Sequence, residues 1–293
     1  MSVPNEPKYL QAKPIGDQTL KGLADLIAES KETDPFAPVT VVVPSQYSGV
    51  VLRRTIAADH GLLNVRFMIL PRLTEYLGSP SLATQGITPL TPLIELASIR
   101  QIATESGADG PLRAVAQHEG LPGLLRKTFN ELSRLDEEGL SDLANTDELR
   151  SQLVDWYGLF RKDTEKYYVD QDLVKAADDV LAKGEAADTL RDIGFVIFYL
   201  LNDLTQAEVL FTKRLIDMGQ ASMILGLVGE PEIDEDTLRI LAAISGTAET
   251  GFKDSGPESR APDQLLSAPD SREEVRWIVR DITRLSDGGT PFH

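Results

Sequence analysis

The chain has 293 residues, enough for one large core or two smaller ones, and 42% of them are hydrophobic, as in an ordinary water-soluble protein. Cysteine is missing, which excludes disulfides and thiolate metal sites, and the three histidines (His60, His118, His293) are too scattered to suggest a metal cluster. A formal net charge of −17 argues against tight non-specific nucleic-acid binding by this chain alone, because such binding relies on cations displacing counterions from phosphate; a role on DNA inside a larger complex stays open.

Residues 9–21 sit where a nucleotide-binding α/β protein carries its phosphate loop, yet no G-x-x-x-x-G-K-[ST] is present. A phosphate cradle needs flexible glycines, converging N–H groups and a lysine beside a hydroxyl magnesium ligand. Here Gly16 precedes Asp17, which would repel phosphate, and Lys21 has no Ser or Thr after it. Leu20, Leu23, Ala24 and Ile27 fall at helical spacing. The β-branched run of residues 39–43, ending at Pro44, reads as a strand buried on both faces. A helix over residues 46–60 and a short strand near residues 65–69 follow. This alternation predicts a parallel, doubly wound sheet.

From about residue 70 to residue 190 helical periodicity takes over. Leu121, Leu125, Leu132 and Leu135 make one apolar stripe; Leu149, Leu153, Trp156, Phe160 and Tyr167 make another. Turn signals at Gly78-Ser79-Pro80, at residues 107–111 and at Glu138-Gly139 separate the segments. Strand character returns at residues 195–199 and 222–227. The helix after each would bury Ala207, Phe211, Leu215 and Met218, then Leu238, Leu241 and Ala242. Residues 246–262 read as a mobile surface loop and residues 264–267 as one more strand. Asp270, with Glu273 three residues on, caps a last helix with a buried stripe of Val275, Ile278, Val279, Ile282 and Leu285. The sequence then stops where a new strand could begin, which reads as a fragment of a longer polypeptide. No apolar run reaches the roughly 18 residues of a membrane span and no signal peptide opens the chain, so a cytoplasmic setting without membrane contact is expected.

Acidic pairs such as Asp178-Asp179 read as solvated faces or caps, and Gly-x-Ser-x-Gly is absent, so hydrolase chemistry has no support. Ser45, Gln46 and Tyr47 directly follow a buried strand, where open α/β sheets present ligand-contacting loops. Ser45 reads foremost as a helix N-cap; Gln46 can hydrogen-bond and Tyr47 can stack on a base. Arg53, Arg54, Arg66 and Arg72 concentrate positive charge near the first strands. Tyr199 ends a strand whose counterpart in a motor ATPase bears a magnesium-binding carboxylate. Asp203, four residues later and next to Thr205, fits a helix start better than a displaced ligand. Trp156, Tyr157, Tyr167 and Tyr168 read as bundle core and rim.

Taken in order, these segments resemble the N-terminal part of AddB/RexB-type subunits of ATP-dependent helicase-nucleases, with weaker similarity to RecC. The resemblance rests on residues 39–46, residues 61–65 leading to residues 70–73, residues 129–140, residues 167–173, residues 204–208 and residues 271–275. It implies a superfamily 1 helicase-like domain: a RecA-like (P-loop NTPase-type) α/β sheet interrupted by an α-helical insertion. The halves would be residues 1–70 and 191–293, the latter running into a next domain, with the insertion over 71–190. Gly16, Lys21 and Tyr199 would mark a degenerate nucleotide site with no catalytic role, and no cofactor or metal is expected in this stretch. The implied function is a non-motor scaffold in double-strand break repair. It would hold single-stranded or forked DNA within a complex, through Ser45, Gln46, Tyr47, Arg53 and Arg72, beside an AddA/RexA-like motor subunit. The family's nuclease, and its iron–sulfur cysteines where present, would lie beyond His293. Two other readings stay open: an α/β enzyme with a ligand in the crevice beyond Val43 and Tyr199, and a protein-interaction module.

Overall fold

The computed structural model describes residues 10–106, 110–246 and 267–289, in two compact units, Met1–Ser255 and Gly256–His293. In the first unit, β1 (Leu10–Pro14), β2 (Val39–Val42), β3 (Val65–Met68), β6 (Phe195–Tyr199) and β7 (Ala221–Leu227) form one sheet in the order β1-β7-β6-β2-β3. Every pairing in it is parallel, and β2 and β6 run side by side with Val39 opposite Phe195. The protein is therefore α/β with a parallel five-stranded sheet. Strands β4 (Thr88–Pro89) and β5 (Tyr167–Tyr168) pair as a separate short parallel bridge.

The central strands are apolar on both sides because helices cover both faces. Val39, Val41 and Val43 pack with Ile197 and Tyr199 against α1 (Asp17–Ser30) and α2 (Gln46–His60). Val42, Val196, Phe198, Met223 and Leu225 face the opposite layer, made by α3 (Leu70–Thr84), α8 (Asp170–Ala182), α10 (Gln206–Asp217) and α11 (Pro231–Ser245). Burying each such side chain contributes about 1.5–3 kcal/mol. The crossovers from β1 to β2 and from β2 to β3 thus lie on one face and those from β3 to β6 and from β6 to β7 on the other, so the topology switches between β2 and β6.

Between β3 and β6 the described residues are mostly helical, apart from β4, β5 and a stretch of turns over residues 110–120; residues 107–109 of the expected turn at 107–111 lie outside the described residues. Helices α4 (Pro92–Ser106), α5 (Leu121–Leu132) and α7 (Glu148–Asp163) share a core of Ile99, Leu125, Phe129, Trp156 and Phe160. Several elements differ from the sequence-based expectation. Gly78-Ser79-Pro80 lies inside α3, because the glycine lets that helix press onto α8: a Cβ at Gly78 would stand 2.7 Å from the Leu173 carbonyl oxygen. Glu138-Gly139 lies in the first turn of α6 (Glu137–Ala144), since the Asp136 carboxylate accepts the Gly139 amide at 2.8 Å. Helix α7 stops at Asp163, so Tyr167 belongs to β5. Of the face expected on α11, Leu241 packs against the core while Leu238 and Ala242 are only half-buried, and Ile240 and Ile244 are the apolar residues fully buried. The cause is Asp234, whose buried carboxylate accepts the amides of Val228 and Gly229 at 2.8 Å each and fixes the rotation of the helix.

In the second unit, α12 (Ser271–Asp287) starts at Asp270, which accepts the amides of Arg272 and Glu273 at 2.9 Å. Its apolar stripe is present but not buried: Val275, Ile278, Val279, Ile282 and Leu285 are all exposed. Periodicity defines a helix face without supplying its partner. The loop expected over residues 246–262 lies outside the described residues from residue 247 on, as does the expected strand apart from Ser267.

Candidate functional site

The turn from β1 into α1 is closed on itself. Gly16 has φ 119°, a conformation that favours glycine. The fully buried Thr19 hydroxyl accepts the Gly16 amide at 3.2 Å and donates to the Gly16 carbonyl at 2.8 Å. A third bond comes from the carboxyl end of β6, where the buried Tyr199 hydroxyl donates to Thr19 Oγ1 at 3.3 Å. Burial pushes the Tyr199 phenol above its ordinary pKa, against the opposing effect of that hydrogen bond, so the group is neutral. Beside it, Ile15 and Leu200 pack over Gly226: a Cβ there would meet Ile15 Cγ1 at 2.6 Å and Leu200 Cδ2 at 2.7 Å. Leu200 takes a left-handed φ of 55° to do so.

Of the three residues assigned to a degenerate nucleotide site, Gly16 and Tyr199 are therefore joined through Thr19, while Lys21 is exposed on α1. Sequence reading missed Thr19, whose partner is 180 residues away. Asp203 caps no helix. It is 85% exposed and pairs with Arg134 at 2.8 Å, while Thr205 caps α10 in a reciprocal box with Glu208.

The β2–α2 turn is built by Ser45, whose side chain accepts the Ser48 amide at 3.1 Å as an N-cap. Tyr47 follows with 78% of its surface exposed. Gln46 turns toward a cleft of about 1070 Å³ that runs along β3. Arg53 on α2 lines one wall, and Arg72, Tyr76 and Tyr168 line the other, with Arg66 from β3 between them. Gly49 allows this close approach, since a Cβ there would lie 3.2 Å from Phe67 Cβ.

The charges in the cleft are largely compensated. Arg66 pairs with Asp192 at 3.1 Å, and Arg72 pairs with Glu75 at 2.5 Å while its guanidinium lies 4.9 Å from the Tyr76 ring centre. Glu75's hydrogen bond also raises the Arg72 pKa, so that guanidinium is firmly cationic. Burial, with Glu75 and Asp170 nearby, raises that of Tyr168. Arg53 has no ion-pair partner among the described residues. The structure thus gathers Gln46, Arg53 and Arg72 into one cleft and leaves Ser45 and Tyr47 out of its lining. Tyr76 and Tyr168 were not foreseen together, because no spacing in the sequence brings α3 and β5 to the same wall.

Among the described residues no group of three His, Asp or Glu side chains is arranged to hold a metal ion, and no helix is long and apolar enough to cross a membrane. No protein-family model matches the chain, and no curated protein matches it.

Proposed function

We propose that the chain is a non-motor, DNA-binding scaffold region of an AddB/RexB-type helicase-nuclease subunit, working in the cytoplasm beside an AddA/RexA-like motor in double-strand break repair by homologous recombination. On this reading the parallel sheet is a RecA-like sheet assembled from residues 1–70 and 191–293 around an insertion over 71–190. The observation that carries it is the closure of the β1–α1 turn. Where a phosphate loop would offer free amides, Thr19 takes the Gly16 amide, and the strand end that would hold a magnesium carboxylate presents the Tyr199 phenol to the same hydroxyl. The order of the resembling segments along the chain supports the same conclusion.

DNA then meets the carboxyl-end rim of β2. The exposed Tyr47 ring can stack on a base, worth roughly 1–3 kcal/mol, and Arg53 is free for a phosphate. Arg72 contributes less, because it must first give up Glu75. Net charge opposes affinity, so partner subunits supply most of it. The test is fluorescence anisotropy of single-stranded and forked DNA on the reconstituted complex at two salt concentrations. Tyr47→Ala and Arg53→Ala should each weaken binding, and only the arginine change should flatten the salt dependence. Unchanged binding in both variants would refute the surface.

A further inference from the structure

Strand β3 ends the sheet, and its outer edge has no strand beside it among the described residues. Its inner edge is fully used. The amide of Val39 donates to the Asn64 carbonyl at 3.1 Å and that of Val43 to the Met68 carbonyl at 2.9 Å. In a parallel ladder this phase turns the backbone of Asn64, Arg66 and Met68 toward β2 and that of Val65 and Phe67 outward. Both outward residues line the floor of the cleft of about 1070 Å³, with Arg53 on the α2 side and Tyr76 and Tyr168 on the other. No described residue bonds their N–H or C=O groups. The opposite edge of the sheet, β1, carries Lys13 and Pro14, residues that blunt strand addition; β3 carries no proline, and its one charged side chain, Arg66, is held by Asp192.

We infer that the free edge of β3 is a docking site for an extended peptide strand of a partner protein, added in the cleft as a sixth strand with one acidic side chain against Arg53. This goes beyond the DNA reading and does not depend on it. The chemistry of the edge selects the occupant. Val65 and Phe67 offer two donors and two acceptors in a line, with a repeat of about 6.6 Å, which matches a peptide backbone. A phosphodiester backbone only accepts, so it would leave both carbonyls facing anionic oxygens. Charge complementarity selects the side chain. Arg66 and Arg72 are held by Asp192 and Glu75, and Arg53 has no ion-pair partner among the described residues, while the Asp170 carboxylate stands on the Tyr168 side, so an acidic side chain fits on the α2 side against Arg53 and is disfavoured on the other. The alternate side chains of such a strand face Tyr76 and Tyr168 and suit apolar residues.

The probe is a short fluorescent peptide of alternating valine and threonine with one central glutamate, added to the whole chain and followed by residue-resolved hydrogen exchange. Exchange at the amides of Val65 and Phe67 should slow by about tenfold, with no added protection at Arg66 and Met68. N-methylation of the peptide on alternate residues, on the side that pairs with β3, should abolish binding. Arg53→Glu should weaken binding by about tenfold, and replacing the peptide's glutamate by lysine should restore it. No slowing at Val65 and Phe67 at about 1 mM peptide, or equal binding of the N-methylated peptide, overturns the proposal. Indifference to the charge swap overturns the acidic assignment. Protection of the same amides by a short oligothymidylate that displaces the peptide assigns the edge to DNA instead.

Discussion

The Tyr199 hydroxyl donates to the Thr19 hydroxyl at 3.3 Å, joining the carboxyl end of β6 to the first turn of α1. Both side chains are buried, so the bond is made away from water. Tyr199→Phe removes it without removing either partner of the two bonds between Gly16 and Thr19, and should lower stability by about 0.5–1.5 kcal/mol in a urea titration.

The same residue sets a pH dependence. Burial raises the folded-state pKa of Tyr199 above the ordinary 10.0, and does the same for Tyr157. A phenol with a raised folded pKa contributes fully below the unfolded value, and that contribution is lost as pH rises from about 10 through the folded value. The urea midpoint should therefore fall between about pH 9 and about pH 11, and fall less in Tyr199→Phe. An equal fall in that variant would show that Tyr199 does not titrate with unfolding.

Gly194 is where the chain re-enters the sheet from the helices. Its φ is 68°, and a Cβ there would lie 1.8 Å from the Pro38 carbonyl oxygen, the acceptor of the Phe195 amide at 3.1 Å. Next to it the buried Thr40 hydroxyl donates to the Ile193 carbonyl at 2.6 Å. Gly194→Ala combines left-handed strain with a backbone clash, so it should cost more than about 3 kcal/mol, whereas Thr40→Val should cost about 1–3 kcal/mol. Denaturant midpoints of the two variants check the ranking.

Much of the sheet was legible because its central strands are buried on both faces. The valine-rich run of β2 and the run Phe195-Val196-Ile197-Phe198-Tyr199 admit no polar alternation, and that pattern implies parallel pairing under helices on both faces. Caps at Ser45 and Asp270 were legible because one side chain and the next turn decide them. What was missed depends on distant neighbours. Gly78 and Pro80 read as a break until α8 is placed against α3, and Thr19 gives no sign of a partner in β6. The edge position of β3, and with it the cleft wall shared by α3 and β5, follows from strand order, which local pattern does not encode.

Two helical glycines make opposite predictions. At Gly78 an added Cβ meets the Leu173 carbonyl oxygen at 2.7 Å and the Ala177 amide nitrogen at 3.0 Å, both backbone atoms of α8 that cannot rotate away. Gly78→Ala must push the helices apart and should destabilise by about 1–3 kcal/mol. At Gly158, in α7, a Cβ has open space within 4 Å. Gly158→Ala should stabilise by about 0.5–1 kcal/mol through helix propensity alone. Thermal unfolding of the two single variants should move in opposite directions.

The closed turn also predicts how the chain treats nucleotides. A triphosphate at the β1–α1 turn would need the Gly16 amide, now held by Thr19, and the space over Gly226 filled by Ile15 and Leu200. Asp17 at the start of α1 adds like charge, and Lys21 is exposed further along that helix. Entry therefore requires breaking the Tyr199–Thr19–Gly16 chain of hydrogen bonds and moving two apolar side chains, with Lys21 exposed and a phenol rather than a carboxylate at the end of β6. Calorimetric titration with Mg-ATP should show negligible binding. Asp203→Asn should leave that result unchanged and cost less than about 1 kcal/mol of stability, since the residue makes only an exposed ion pair with Arg134. A dissociation constant at or below about 1 μM, near −8 kcal/mol, would mean that the site opens on binding and would remove the ground for reading this chain as a non-motor scaffold.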